Sequence, residues 1–407
     1  MGWDNSYPPP KAGPASFQVR DAYNDGPVEM VSDPPPYYSA APERELPAPP
    51  RRGNMPMAYE YSQPASRWNP RSWRKRTWAI IAAIVVVVLI IVIVVPVEVT
   101  KANRYPDYSR LNYTLSDEYT GTSFFDKFNY FTGYDPAQGF VHYVPREQAT
   151  QLNLTYASTD TAVLKVDTSV GPGSVPDAST GRFSVRVESK TQYDRGLFIF
   201  DVKHTPYGCG TWPALWLVDP AHWPDNGEID VMEAVNQAAD GNQMTLHTTD
   251  DCRMDAKRIM SGASLNADCY NATNDNAGCG VKTAADTFGA AYNDADGGLT
   301  AVEWRDEGIR VWQFGRGAVP TDIAARSPDP STWGEASADF PNTKCDIGSH
   351  FRNQSIVVNI DLCGQYAGGV YAQSGCPSNC TDYVANNPSA FANAFWEFGA
   401  FQVYKAS

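Results

Sequence analysis

Phe183-Ser184-Val185-Arg186-Val187-Glu188 alternates apolar and polar side chains at every step. A period of two puts one set of side chains on each face of a strand, whereas a helix needs apolar residues three and four apart. Working outward, Gly196–Val202, Glu228–Val235, Met244–Thr249, Leu299–Arg305, Gly308–Phe314, Ser355–Leu362 and Trp396–Tyr404 also read as strands. Turn-formers such as Gly171-Pro172-Gly173 and Asp294-Ala295-Asp296-Gly297-Gly298 separate them. No segment there sustains a 3.6-residue apolar repeat across four turns. The many short strands between residues 118 and 407 predict an all-β, two-sheet sandwich, and no phosphate-binding or dinucleotide motif competes with it.

The 407 residues divide into regimes of different charge. Residues 1–77 hold 10 Lys/Arg, 8 Asp/Glu and 15 of the 31 prolines, a net charge of +2. Residues 98–407 hold 22 basic and 38 acidic side chains, a net of −16. So acidic a body repels phosphate backbones, which argues against a nucleic-acid partner. All eight cysteines lie between Cys209 and Cys380, without paired C-x₂-C spacing, so disulfides are expected and a metal site is not.

Trp78–Val95 is a run of eighteen apolar residues. As a helix it would span about 27 Å, close to the bilayer's hydrocarbon thickness, and strands seldom exceed about ten residues. Residues 78–97 are therefore expected to form one transmembrane signal anchor. Arg67, Arg71, Arg74, Lys75 and Arg76 crowd its N-terminal flank, which puts residues 1–77 in the cytosol and the body in the lumen or outside the cell. Glycosylation sequons at Asn112, Asn153, Asn271, Asn353 and Asn379 all follow the anchor and agree with this type II topology. The tail cannot bury enough apolar surface to fold and is expected to be disordered. Within it, Pro34-Pro35-Pro36-Tyr37 matches the P-P-x-Y ligand of WW domains, for which a WW-domain ubiquitin ligase would be the partner; the alternative is a chance match in a tail this rich in Pro and Tyr. Residues 98–117 read as a stalk.

Asn226-Gly227-Glu228-Ile229-Asp230-Val231-Met232-Glu233 carries the chemistry. Glu228 and Asp230 share a strand face, and a β-bulge around Val231-Met232 would return Glu233 to it. Three carboxylates on one face raise one another's pKa, which costs stability but suits acid–base work. Seven of the eleven tryptophans lie in the body, and those at 212, 216 and 223 come just before the acidic cluster. A flat indole can pack on a sugar ring, although core packing is the ordinary use of any single one. Glycosidic hydrolysis with retention needs a carboxylate nucleophile and a carboxylic acid about 5–5.5 Å apart.

The stretch Glu228-Ile-Asp230-Val-Met-Glu233 resembles the E-[IL]-D-x-x-E signature of glycoside hydrolase family 16 in its bulged, laminarinase-like form. Thr211-Trp-Pro-Ala-Leu-Trp216-Leu, Trp223-Pro-Asp-Asn-Gly227, Leu246-His247-Thr-Thr249 and Ala301-Val-Glu303-Trp304 are similar to the same family. So are Cys363-Gly-Gln-Tyr-Ala-Gly368, Cys376-Pro-Ser-Asn-Cys380 and Asn387-Pro-Ser-Ala-Phe391. The likeness covers roughly residues 120–405. It implies a concanavalin-like jelly roll with a β-glucan chain in its cleft and no cofactor. By the same resemblance Glu228 is the nucleophile, Glu233 the acid/base and Asp230 the assistant. Trp216, Trp223, His247 and Glu303 would line the sugar subsites. A membrane-held endo-β-glucanase acting on β-1,3 or mixed β-1,3/1,4 glucan in wall remodelling is the leading expectation. A transglycosylase using the same site, or a silent glucan-binding module, are the rivals. Product lengths separate the three.

Overall fold

The computed structural model describes residues 70, 73–94, 99, 104–171 and 181–407. The Pro34-Pro35-Tyr37 motif, the tail around it and residues 100–103 lie outside the described residues. Lys75–Ile93 is a helix of 19 residues with mean hydropathy 2.8 and none of its span buried, long and apolar enough to cross a membrane.

Among the described residues eighteen strands follow: β1 Tyr113–Tyr119, β2 Phe128–Tyr130, β3 Val141–Tyr143, β4 Thr155–Ala157, β5 Ala162–Lys165, β6 Arg182–Ser184, β7 Arg186–Tyr193, β8 Gly196–His204 and β9 Thr211–Val218. The rest are β10 Glu228–Glu233, β11 Gln243–His247, β12 Ala263–Ser264, β13 Val281–Lys282, β14 Gly298–Arg305, β15 Gly308–Gly315, β16 Ala338–Pro341, β17 Gln354–Leu362 and β18 Phe395–Ala406. One eight-stranded sheet runs β16-β15-β14-β8-β18-β5-β4, with β1 added against β18. We call it the outer sheet. The other, the cleft sheet, runs β12-β13-β11-β10-β9-β17-β7-β2. β3 and β6 form a short parallel pair. The all-β sandwich expected from the alternation is the fold.

Period-two patterning decides which side chains fill the space between the sheets. Phe198, Phe200 and Val202 of β8 enter it from the outer sheet, and Leu215, Leu217, Ile229 and Val231 from β9 and β10 of the cleft sheet. Trp304 and Trp396 are fully enclosed there. Each such side chain contributes roughly 1.5–3 kcal/mol of transfer free energy. Four disulfides, Cys209–Cys376, Cys252–Cys345, Cys269–Cys279 and Cys363–Cys380, tie the loops around the cleft sheet.

The segment expected as a stalk is part of the folded body from Tyr105 onward. Tyr105 and Tyr108 both donate to Asp339 of β16, at 3.0 and 3.2 Å. Arg305 donates to the Ser109 carbonyl at 2.9 Å, and β1 pairs with β18 from Tyr113↔Ala406 to Tyr119↔Phe401. The reason is physical: β15 and β16 place charged groups on the outer face, and a strap of tyrosines covers them.

Candidate active site

β10 is paired on both edges, and its register shifts between Asp230 and Met232 against β9, and between Asp230 and Glu233 against β11. That extra residue is the expected bulge. Glu228 stands opposite Val218, Asp230 opposite Trp216 and Glu233 opposite Ala214. Residues at 214, 216 and 218 share one face of β9, so all three carboxylates share a face as well. Ile229, Val231 and Met232 are buried beneath. Gly227 opens the strand at φ +71°, where a Cβ would come within 2.4 Å of the His350 carbonyl oxygen. Only glycine fits that turn.

Each carboxylate is held by a different partner. The Trp223 indole N–H donates to Glu228 Oε2 at 2.5 Å, from a side that is 42% exposed. Trp212 Nε1–H donates to Glu233 Oε1 at 2.8 Å. The Glu233 backbone N–H is fixed by Asn242 Oδ1 at 2.9 Å, and Asn242 Nδ2 reaches back to the Val231 carbonyl at 3.0 Å, which locks the bulge. His247 of β11 faces Glu228 across the ladder and places Nε2 3.3 Å from Asp230 Oδ2. Its Nδ1 contacts Asn276 Oδ1 at 3.0 Å.

The electrostatics follow from burial. Desolvation, with the charge of Glu228, pushes the Asp230 carboxyl well above the usual range against the pull of His247. Burial likewise raises Glu233; the Trp212 bond and the His247 charge oppose this, while Glu228 adds to it. Burial lowers His247, but the bond to Asp230 and the charges of Glu228, Asp230 and Glu233 outweigh it and push the imidazole up to about 9. The cluster therefore shares its protons, and the titration belongs to the group. Glu228, Asp230 and His247 could each offer a ligand atom within 4.8 Å of the others. A protonated imidazole bonded to Asp230 competes with a cation for that space.

Of the expected sugar-lining residues, three sit beside the acids and one does not. Trp216 lies next to Asp230 in register, with its N–H on Asn359 Oδ1 at 2.8 Å and the Arg186 guanidinium 5.0 Å from its ring centre. Trp223 and His247 are the neighbours just described. Glu303 is a correction: it belongs to β14 in the outer sheet, where Tyr113 Oη donates to it at 2.9 Å and Arg310 Nε at 3.0 Å. The alternation around it does mark a strand, but nothing local says which sheet a strand joins. Trp212, grouped with Trp216 and Trp223 in the sequence, holds Glu233, whereas Arg186 and Asn359, which contact Trp216, carry no local sequence signal. Trp212 is four residues before Trp216 on one strand, so period two alone could have placed it on the same face.

A two-sheet all-β sandwich with three carboxylates on one bulged strand of its cleft sheet defines a carbohydrate-active enzyme of the jelly-roll class. The XgeA-like catalytic domain of glycoside hydrolase family 16 matches residues 128–404, and the chain belongs to that family. A probable glycosidase of Schizosaccharomyces pombe is 44% identical over 308 residues, 74% of this chain and 72% of that protein. Endo-1,3(4)-beta-glucanase xgeA of Emericella nidulans is 35% identical over 303 residues, which span 72% of this chain but 47% of that protein. The match thus covers only about half the length of that relative. Among solved structures, laminarinase 16A of Phanerochaete chrysosporium, holding 6-O-glucosyl-laminaritriose in donor and acceptor sites, is 43% identical. It covers 72% of this chain and 100% of its own, with a TM-score of 0.69. An elongating family 16 β-1,3-glucosyltransferase is 39% identical with a TM-score of 0.67, covering 72% and 100%. The domain is a family 16 glycoside hydrolase with endo-1,3(4)-β-glucanases among its homologues.

Proposed function

We propose that this chain is a membrane-anchored, retaining endo-β-glucanase that cuts β-1,3 or mixed β-1,3/1,4 glucan by double displacement. The observation that carries the reading is Glu228, Asp230 and Glu233 on one face of a bulged strand, each with its own donor. Glu228 attacks the anomeric carbon while the Trp223 N–H orients it. Glu233, kept protonated by burial and by the charge of Glu228, gives its proton to the leaving oxygen. Once Glu228 is esterified that charge is gone. The Glu233 pKa then falls, and Glu233 can take a proton from the incoming water. Asp230 and His247 hold a proton between them beside the nucleophile and absorb the same change in charge.

A second reading keeps the site and changes the acceptor. A sugar hydroxyl can intercept the glycosyl-enzyme, and the likeness to an elongating β-1,3-glucosyltransferase favours it. The apolar helix Lys75–Ile93 supports a type II anchor with the catalytic domain outside the cytosol, acting on wall glucan. The five sequons fit that side, and Asn112, Asn153, Asn353 and Asn379 are exposed while Asn271 is half-buried. On the cytosolic side Pro34, Pro35 and Tyr37 would engage a WW-domain ligase.

Incubating the full chain, in detergent, with laminarin, lichenan and an oligosaccharide acceptor tests these readings by product length. Shorter products support hydrolysis, and products longer than the donor support transfer. A Glu228→Gln variant as active as wild type would overturn the site.

A further inference from the structure

The loop that carries Trp223 is gathered on one buried carboxylate outside the reacting trio. Val218 of β9 and Glu228 of β10 face each other, so residues 219–227 close the hairpin between them. Asp219-Pro220-Ala221-His222 is a turn sequence, with Asp first and Pro second, and the His222 N–H meets the Asp219 carbonyl at 3.2 Å. The Asp219 side chain is 1% exposed. Its Oδ1 accepts the Ala221 N–H at 3.0 Å. Its Oδ2 accepts from His222 Nδ1 at 2.8 Å, Asn226 Nδ2 at 2.7 Å and Asn353 Nδ2 at 3.0 Å. Burial would raise this carboxyl, but the bonds from Asn353, His222, Asn226 and Ala221 outweigh it and hold the pKa below the ordinary value.

Those four donors come from both ends of the loop and from outside it. Ala221 and His222 belong to its first turn, Asn226 to its end, and Asn353 to the turn just before β17. Asn226 is clamped on its far side as well: Arg352 Nε donates to its Oδ1 at 3.1 Å, and Gln354 Nε2 to its carbonyl at 2.9 Å. Backbone bonds run from Asn226 to the His222 carbonyl and from Gly227 to the Pro224 carbonyl, both at 3.0 Å, and shape the loop from within. The Arg352 N–H, at 3.2 Å from the Asn226 carbonyl, ties its end to the neighbouring turn. The Asp219 carboxylate adds the tie between the first turn, Asn226 and Asn353. Trp223 stands between the tied residues, 42% exposed, with its N–H on Glu228 Oε2 at 2.5 Å. A ring so exposed takes its position from the chain on either side of it.

We propose that Asp219 is a positioning residue for the nucleophile: it holds His222 and Asn226 on either side of Trp223 and so keeps the indole N–H on Glu228. The effect on turnover rests on the glucanase reading, whereas the placement of the indole does not. Asp219→Asn has one acceptor oxygen in place of two, so at least one of the four N–H groups would face another donor. The backbone bonds remain, so the loop keeps its course while the indole shifts.

Steady-state kinetics of the full chain on laminarin, in detergent, compare Asp219→Asn in two backgrounds: wild type, and Trp223→Phe, which keeps a ring and loses the N–H. The substitution should lower kcat about tenfold in the first and less than about twofold in the second. Equal factors in the two backgrounds, no loss in either included, overturn the proposal, because Asp219 would then act on something other than the indole. Should Asp219→Asn fail to fold, Asn353→Gly removes one donor alone and suits the φ of 53° at that residue. It should show the same dependence on background with a step of about threefold, in protein made without N-glycans because Asn353 heads a sequon. The second readout needs no glucan. In the fluorotryptophan-labelled full chain, the fluorine NMR line that Trp223→Phe removes should move in Asp219→Asn. A moved line with no glucan turned over would sink the glucanase reading and keep this one. An unmoved line, or the same shift across all tryptophan lines, overturns it even in an active enzyme.

Discussion

Both sheets bury carboxylates, and they do so in opposite ways. On the outer sheet Glu303 is 2% exposed and is met by Arg310, Arg305 and Tyr113. Asp339, fully enclosed, accepts from Tyr105, Tyr108, the Ile259 N–H and lies beside Arg258. On the cleft sheet Glu228, Asp230 and Glu233 have two indole N–H groups and one imidazole between them. Buried charge that is fully paired is a structural fixture, and its loss costs folding. Buried acid that repels its neighbours is poised to exchange protons. The contrast separates sites that sequence spacing alone treats alike.

The largest expected effect breaks one side of it. Glu228→Gln should lower turnover of laminarin by about 10⁴-fold or more, because both steps of the displacement pass through that oxygen. Thermal unfolding should barely move, since the change removes repulsion from Asp230 and Glu233. Turnover within tenfold of wild type would remove Glu228 from the mechanism.

Glu303→Gln tests the other side. It leaves the largely buried Arg310 without its carboxylate, while Arg305 keeps Glu307 at 2.6 Å, and should cost about 3–5 kcal/mol. Denaturant unfolding measures this, and the native fraction should keep wild-type kcat. A selective loss of kcat with full stability would return Glu303 to the active site.

The titration of His247 gives a smaller and signed effect. Its folded pKa, about 9, lies above the ordinary imidazole value of 6.5. Its proton therefore stabilises the folded state fully below pH 6.5, and the contribution is lost as pH rises through about 9. Wild type should lose stability across that window more steeply than His247→Gln. Equal slopes in the two unfolding series would place the shared proton elsewhere.

How much of this could be read from the residues depends on distance along the chain. Glu228-Ile-Asp-Val-Met-Glu233 states its own geometry, because facing and bulging are local properties of one strand. Phe183–Glu188, Gly196–Val202 and Ser355–Leu362 likewise declare themselves as strands, and each lies within or across strands of the fold. β9 does not declare itself in the same way, since Thr211-Trp-Pro-Ala-Leu-Trp216 carries a proline and two cleft-face indoles that blur the alternation. Partnerships across the chain were not legible. Tyr108 meets Asp339 231 residues away, and no local pattern says that the strap after the apolar helix belongs to a sheet edge. The misplacement of Glu303 and the missed Arg186 have that same origin.

The Tyr108 hydroxyl of the strap offers the smallest effect and the finest test of the comparison. Tyr108 sits with its ring 4.1 Å from the Arg310 guanidinium and its hydroxyl on Asp339 Oδ1. Arg310 is also the main partner of Glu303, so the strap and the buried acid share one cation. Tyr108→Phe removes the hydroxyl and leaves the ring over Arg310, which should cost about 1 kcal/mol by denaturant unfolding and leave kcat and KM unchanged. Tyr108→Ala also removes the ring and should cost about 3–5 kcal/mol. If the outer sheet is structural throughout, the double variant Tyr108→Phe with Glu303→Gln should depart from additivity through Arg310, still without touching catalysis. A strap variant that changed KM for laminarin would mean instead that the outer face communicates with the cleft, and the division between the two sheets would fail.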